Sequence, residues 1–396
     1  MKRAIVVLIA IALVFTFSAC NKGGSAKEDF FVLGVQQPLT GDNAIAGNAA
    51  LEAVKLFADQ KNKQGGFLGK QIKVVSYDDQ GTSEEAVKVA NKIVQIDKAN
   101  AVIGSLISSD LFASGHIFED AKTITFGIGL SPTWMKQGWK YFFRANMNTD
   151  FGIPSLVNVI NNNFGIKSAA IIRGEDDSAL TAANAFTSEC EKRGIKVTIT
   201  TSFAASDTDF SGQIAAMLAT KPDTIFMSTL NYMLGTFMKQ LRGFGYKGLV
   251  FSKELFTIDQ LQVGQQYANG YMFMSSYVTY PSVEVCNEEP LKTYLQQYKD
   301  AYGKMPQHDC AFRAWDAMLA LDAAIKIANS LKPDDIRDAV FKVKDLKGLG
   351  GNLDFTNGTG EGLLDVKTYV IQDMNYIPVQ TWIDQGGYDK FKTQTF

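Results

Sequence analysis

The sequence predicts an α/β protein built as two doubly wound parallel-sheet lobes. Three observations carry this. Strand and helix signals alternate from Phe30 to Arg144 and again from Asp150 to Ser252, the pattern of parallel sheets covered by helices on both faces. The chain is 396 residues long, more than one hydrophobic core accommodates. Beyond Met274 the alternation gives way to consecutive helices and then a β tail, so the chain returns to the first lobe and crosses again to the second.

The first series opens with a strand over Phe30–Val35. A helix over Gly47–Lys63 presents Ala50, Val54, Phe57 and Ala58 on one face and is closed by Gly65-Gly66. Gln71–Tyr77 is the next strand, and the helix Ser83–Asp97 turns Ala86, Ala90, Ile93 and Val94 inward. Ala101–Gly104 is a short apolar run ending on glycine, and a helix begins at Ser108 with Ser108, Ser109 and Asp110 available as caps. Backbone N–H groups at such a corner suit a carboxylate, or serve only as an ordinary strand-to-helix cap. A strand near Thr123–Phe126, a loop through Trp134 and a strand ending near Arg144 complete this series.

The second series predicts helices over 150–164, 179–193, 208–219 and 231–242, interleaved with strands over 168–172, 195–200, 223–227 and 248–252. A strand over Tyr271–Met274 follows. Helices over 288–301, 310–328 and 333–342, a Gly-rich stretch, and strands near 363–371 and 376–382 end the chain.

Residues 1–20 stand apart from this fold. Lys2 and Arg3 precede the apolar run Ala4–Phe15, and Ser18-Ala19 lead into Cys20, which is the pattern of an export signal. A Cys at the cleavage point resembles a bacterial lipoprotein signal, with Phe17 where that pattern usually carries Leu; Cys20 would then be acylated. Residues 21–29 read as a flexible polar tether.

Composition excludes several function classes. Hydrophobic residues make up 46% and charged residues 20%, values of a soluble globular protein. Without Lys2 and Arg3, 37 of the 39 basic residues remain against 41 acidic ones, and no basic patch speaks for nucleic acid. Two histidines, His116 and His308, with no GxSxG turn and no CxxC spacing, leave little for a nucleophilic triad or a metal centre. Gly127-Ile-Gly129 is a tight turn beside a ligand rather than a dinucleotide fingerprint. Asp78-Asp79 and Asp176-Asp177 are candidate acid/base pairs or simple turn and capping acids. A binder without cofactor or metal, rather than an enzyme, is the expectation. Cys190, Cys286 and Cys310 are odd in number, and a Cys286–Cys310 bridge stays open.

Several segments in order carry a resemblance: Pro38-Leu-Thr-Gly41 with Gly47, Gln64-Gly-Gly66 with Gly69, Tyr77-Asp-Asp79 followed by Glu85–Val94, Ile103-Gly104 through Ser108-Ser109, and Ala311–Met318. Together they resemble the Leu/Ile/Val-binding family of type I periplasmic binding proteins that serve ABC transporters. The resemblance implies two lobes joined by three hinge crossovers near 145, 275 and 350, with lobe 1 at 30–144 and 276–349 and lobe 2 at 145–275 and 350–396. It implies a monomer, lipid-anchored at the cell membrane and facing the periplasm or outside, that hands an amino acid-like ligand to a permease and its ATPase. A short amide, urea or organic acid, or a signalling partner in place of the transporter, are the alternatives.

The resemblance also implies site residues. Ser108, Ser109 and the loop Gly129, Leu130 and Ser131 would grip the ligand carboxylate, and Glu254 would meet its ammonium group. Ser178, Leu230, Asn231, Cys310 and Ala46 fall where the family commonly has aromatic residues. That loss of bulk implies a roomier pocket lined by Trp134, Leu230 and Tyr232.

Overall fold

A computed structural model describes residues 30–229, 233–364 and 366–396. The signal segment with Cys20, the tether, and Leu230, Asn231 and Tyr232 lie outside the described residues.

The first series folds as β1 (Phe31–Gln37), α1 (Ala44–Lys63), β2 (Ile72–Asp78), α2 (Ser83–Asn91), β3 (Ala101–Ile103), α3 (Ser108–Asp120), β4 (Ile124–Phe126) and β5 (Phe142–Phe143). The five strands pair in parallel in the order β2-β1-β3-β4-β5. Alternate side chains feed opposite faces: Leu33, Val35, Ala101 and Ile103 join a cluster with α1, whereas Val32, Val102, Ile93 and Phe118 form a second cluster under α2 and α3.

The second series runs α4 (Thr149–Phe164), β6 (Ser168–Arg173), α5 (Asp177–Lys192), β7 (Lys196–Ser202), α6 (Ser211–Ala219), β8 (Thr224–Ser228), α7 (Leu234–Gly243), β9 (Val250–Ser252), α8 (Ile258–Gly264) and β10 (Tyr271–Ser275). Its strands are parallel, in the order β10-β9-β8-β6-β7. Ala170, Ile172, Ile225 and Met227 face α6 and α7, while Ala169, Ile171 and Phe226 face α4 and α5. Burial on both faces explains why these strands read as continuous apolar runs.

The remainder comprises α9 (Leu291–Tyr302), α10 (Cys310–Ala328), α11 (Pro333–Val340), the hairpin β11 (Leu346–Lys347) and β12 (Asn352–Leu353), then β13 (Lys367–Gln372), β14 (Asn375–Pro378), α12 (Val379–Asp384) and α13 (Gly387–Lys392). Helices α9 to α11 pack on the first lobe through Tyr294, Phe312, Leu321 and Ile336. Strand β13 extends the second sheet antiparallel to β10, and β14 pairs antiparallel to β13, so that sheet is mixed.

Three expectations change. The return to the second lobe comes after Leu363 rather than at 350, because Leu353, Phe355 and Leu363 are buried in the first lobe's cluster. The strand expected over 376–382 stops at Pro378, which has no N–H for a further ladder bond; Val379–Asp384 is helical and buries Trp382 beside Phe391. Helix α8 occupies a stretch that carried no helix expectation.

At the first crossover, Arg144 is fully buried. Its Nε and Nη2 donate to the two carboxylate oxygens of Glu361 at 2.8 and 2.7 Å. Its Nη1 donates to the carbonyls of Gly129 and Ser131 at 2.7 and 2.9 Å. The guanidinium also lies 4.4 Å from the centroid of the Trp134 ring. Removing one member of a buried ion pair strands the other charge, at a cost of about 3–5 kcal/mol. Glu361→Ala is therefore expected to lower the unfolding free energy by about that amount. Arg144→Met combined with Glu361→Leu should recover most of the loss in urea titrations, and a single-variant loss indistinguishable from zero would contradict this account.

Candidate functional site

The corner between β3 and α3 has the geometry expected of a strand-end site. Gly104 is required there, since a Cβ would come within 2.6 Å of the Leu111 side chain. Gly129 is required opposite, since its Cβ would lie 2.7 Å from Ser108 Oγ. The close approach lets Ser108 Oγ accept the Ser131 N–H at 3.2 Å, which ties the start of α3 to the 129–131 loop while leaving the hydroxyl proton to donate elsewhere.

A cavity of about 20 Å³ opens at this corner, lined by Leu106, Ile107, Ser108, Ser109, Leu130, His308, Cys310 and Arg313 of the first lobe and Asp176, Ser178 and Glu254 of the second. Two helix starts border it, α3 with Ser108 and Ser109 and α5 with Ser178. Asp176 caps α5, its Oδ1 accepting the Ala179 N–H at 2.9 Å. The lobes touch beside the cavity, where Thr133 Oγ1 donates to Asp177 Oδ2 at 2.6 Å and Ser131 Oγ to Thr181 Oγ1 at 3.5 Å.

Buried charges surround the cavity. Lys253 and Glu254 form an ion pair between Nζ and Oε1, both side chains almost wholly inaccessible. Arg313 Nη2 lies 3.9 Å from Glu254 Oε2. Arg313 also donates through Nε and Nη2 to Asp309 Oδ2 at 2.9 and 2.6 Å. His308 Nδ1 sits 2.9 Å from Asp309 Oδ1. His308 Nδ1 accepts the Cys310 N–H at 3.1 Å; burial lowers the His308 pKa, and Cys310 and Asp309 outweigh it and raise it to about 10. Burial likewise pushes Asp309 up, and Arg313 and His308 overcome it, so the carboxyl stays below its usual range. His308, Asp309 and Cys310 bring one ligating atom each within 4.8 Å of one another. Arg313 occupies Asp309 Oδ2, and the Cys310 N–H occupies His308 Nδ1, so two of these residues already spend an atom on partners within the protein.

Of the expected site residues, the fold brings Ser108, Ser109, Leu130, Ser178, Glu254 and Cys310 to one cavity. Gly129 and Ser131 stand behind it, held by Arg144. Leu230 and Asn231 fall outside the described residues. Ala46 packs in the first lobe's core, and Trp134 is fully buried beneath Arg144 and against Phe142, so neither lines the cavity. Nor is the cavity roomy, because Arg313, Lys253 and Glu254 take up space that smaller neighbours leave. Sequence reading missed Arg313 and His308; the signal was Asp309 and Arg313 four apart at a helix start, which places them on one face. Cys190, Cys286 and Cys310 are all free and buried, so Cys286 and Cys310 form no bridge.

Two βα lobes line one cavity from both sides. The periplasmic binding protein family matches residues 32–373, and the chain belongs to that family. Its relatives include an amino acid binding protein of Pseudomonas aeruginosa, 27% identical over 61% of this chain and 66% of that protein, just under two thirds of the relative's length. The fold is similar to the leucine binding protein LivK of Thermotoga maritima (TM-score 0.79, 22% identity, covering 88% of this chain and 97% of that one). It is equally similar to a solute binding protein of R. palustris solved with benzoate (TM-score 0.78, 17% identity, covering 89% and 96%). No helix among the described residues is long and apolar enough to cross a membrane.

Behind Ser109 lies a pair of buried acids. Asp110 accepts from Ser83 at 3.2 Å, and Asp79 accepts the Gly81 N–H at 3.0 Å. One oxygen of each, Asp79 Oδ2 and Asp110 Oδ2, has no hydrogen-bond partner. Burial, then the neighbouring Asp79 charge, pushes Asp110 up to about 7. Burial likewise pushes Asp79 up to about 6, against the Gly81 N–H and Ser105. Each acid holds a proton in the folded protein where the unfolded chain has lost it, so stability falls as pH rises from about 4 to about 7. Asp110→Asn is expected to raise the melting temperature at about pH 8 and to leave it nearly unchanged at about pH 4. Thermal melts at the two pH values check this, and a lower melting temperature at the higher pH would contradict it.

Proposed function

We propose that the protein is an extracytoplasmic solute receptor of an ABC transporter. A small ligand bearing a carboxylate, an amino acid or a relative of one, is captured between the two lobes and handed to a permease and its ATPase subunits. The observation that carries this reading is the inter-lobe cavity at the start of α3, where Ser108 and Ser109 present hydroxyls and first-turn N–H groups that lack helical partners. Membership of the family supports it, as does the amino acid binding named for the Pseudomonas relative. The receptor acts as a monomer, anchored at the membrane outside the cytoplasm by lipid on Cys20.

Ligand entry requires hinge opening on this reading, because about 20 Å³ holds little more than a water molecule. Tyr277, beside the second crossing, is tied to α10: its OH donates to Asp316 Oδ2 at 2.9 Å, and Asp316 also accepts the Leu349 and Gly350 N–H groups of the first lobe at 2.8 and 3.1 Å. The lobes would rotate about the chain crossings and part at the Thr133–Asp177 contact.

A thermal-shift screen against amino acids, organic acids and short amides tests the receptor reading; a ligand at 100 times its Kd stabilises by about 2.7 kcal/mol. With a ligand in hand, Ser108→Ala is expected to weaken binding roughly 10- to 150-fold, the equivalent of a hydrogen bond to a charged group. Unchanged affinity by calorimetry would remove Ser108 from the site. For the anchor, Cys20→Ser should move the protein from the membrane to the soluble fraction.

A further inference from the structure

We infer that the ligand is a small carboxylate without an α-ammonium group, selected by the cations that Lys253 and Arg313 place around Glu254. The inference rests on the receptor reading and narrows it to a ligand class.

An amino acid needs two complementary ends, and Glu254 is the residue expected to accept its ammonium. That carboxylate is already matched. Lys253, buried on the neighbouring position of the same chain segment, pairs with Oε1, and Arg313 approaches Oε2 at 3.9 Å from the opposite lobe. An ammonium brought to Glu254 would therefore meet two buried cations, where like charges are screened far less than in water.

The surrounding charges do not reverse this. Asp309 pairs with Arg313 through Oδ2 and is not on the cavity wall. Asp176 is the one further acid on the cavity wall among the described residues, and it caps α5, so its charge is offset by that helix's N-terminal N–H groups. Helix α3 presents its own positive end from the other side. Leu106, Ile107 and Leu130 line the rest of the cavity and favour an apolar body. A carboxylate is attracted from both lobes, whereas the two acids on the cavity wall among the described residues, Glu254 and Asp176, are already engaged by Lys253 and by the start of α5.

The test compares acids that differ only in the amine. Calorimetry on the full exported chain would set 4-methylpentanoate against leucine and 3-phenylpropanoate against phenylalanine. The carboxylates are expected to bind at least about tenfold more tightly than their amino counterparts. Lys253→Met should then shift the ratio toward the amino acids, because it frees Glu254. Should that variant fail to fold, Lys253→Met with Glu254→Gln replaces the pair without a stranded charge, and the ratio should fall toward one. Tighter binding of the amino acids by the unaltered protein overturns the inference and leaves the receptor reading intact; loss of that binding in Asp176→Asn would then identify the acceptor. Failure of all four acids to bind also overturns it. The receptor reading itself falls on a different result, the absence of any stabilising solute in the wider screen.

Discussion

Four donors of one buried guanidinium hold three separate stretches of this chain in register. Arg144 spends two on Glu361 and two on the carbonyls of Gly129 and Ser131. Backbone bonds run alongside, from Arg144 N to Gly360 O and from Gly362 N to Arg144 O. The end of β5, the late segment that leads to the second sheet, and the loop facing Ser108 thereby share one anchor. Since the group is buried, its bonds are satisfied together or the fold loses a charge to the interior. The position of the 129–131 loop follows from this arrangement.

The cavity shows the complementary constraint. Lys253, Glu254, Arg313 and Asp309 are buried together, so each charge is tolerable because another neutralises it, Lys253 with Glu254 and Arg313 with Asp309. That internal pairing decides what a ligand still finds unmatched. Similarity to amino acid binders points toward a zwitterion, whereas the local electrostatics point toward an anion. The two lines of argument use different facts: the first uses ancestry of the fold, the second the neighbour of one glutamate.

Much of the fold was legible. Buried parallel strands announce themselves as apolar runs between amphipathic helices, as in Ala101–Ile103 and Thr224–Ser228. The corner at Ser108 was legible because small residues at a strand end followed by hydroxyls form a local pattern. Elements set by distant partners were harder to read. The strand expected through 382 ends at Pro378, and Val379–Asp384 folds as a helix with Trp382 packed beside Phe391. The last crossing was placed too early because Phe355 looks like loop until it meets Phe126 and Phe143.

The sequence by itself determined the two βα series, the strand-to-helix corner at Ser108 and Ser109, and the export pattern before Cys20, since each depends on residues close together along the chain. Tertiary structure alone decided that Trp134 supports Arg144 instead of lining the cavity, and that Asp79 and Asp110 face each other's charge. It alone brought Arg313 from α10 to Glu254 across the lobes. The reason is physical: periodicity reports which face of an element is apolar, while charge pairing and cavity size depend on which faces meet, and those partners lie tens to hundreds of residues apart.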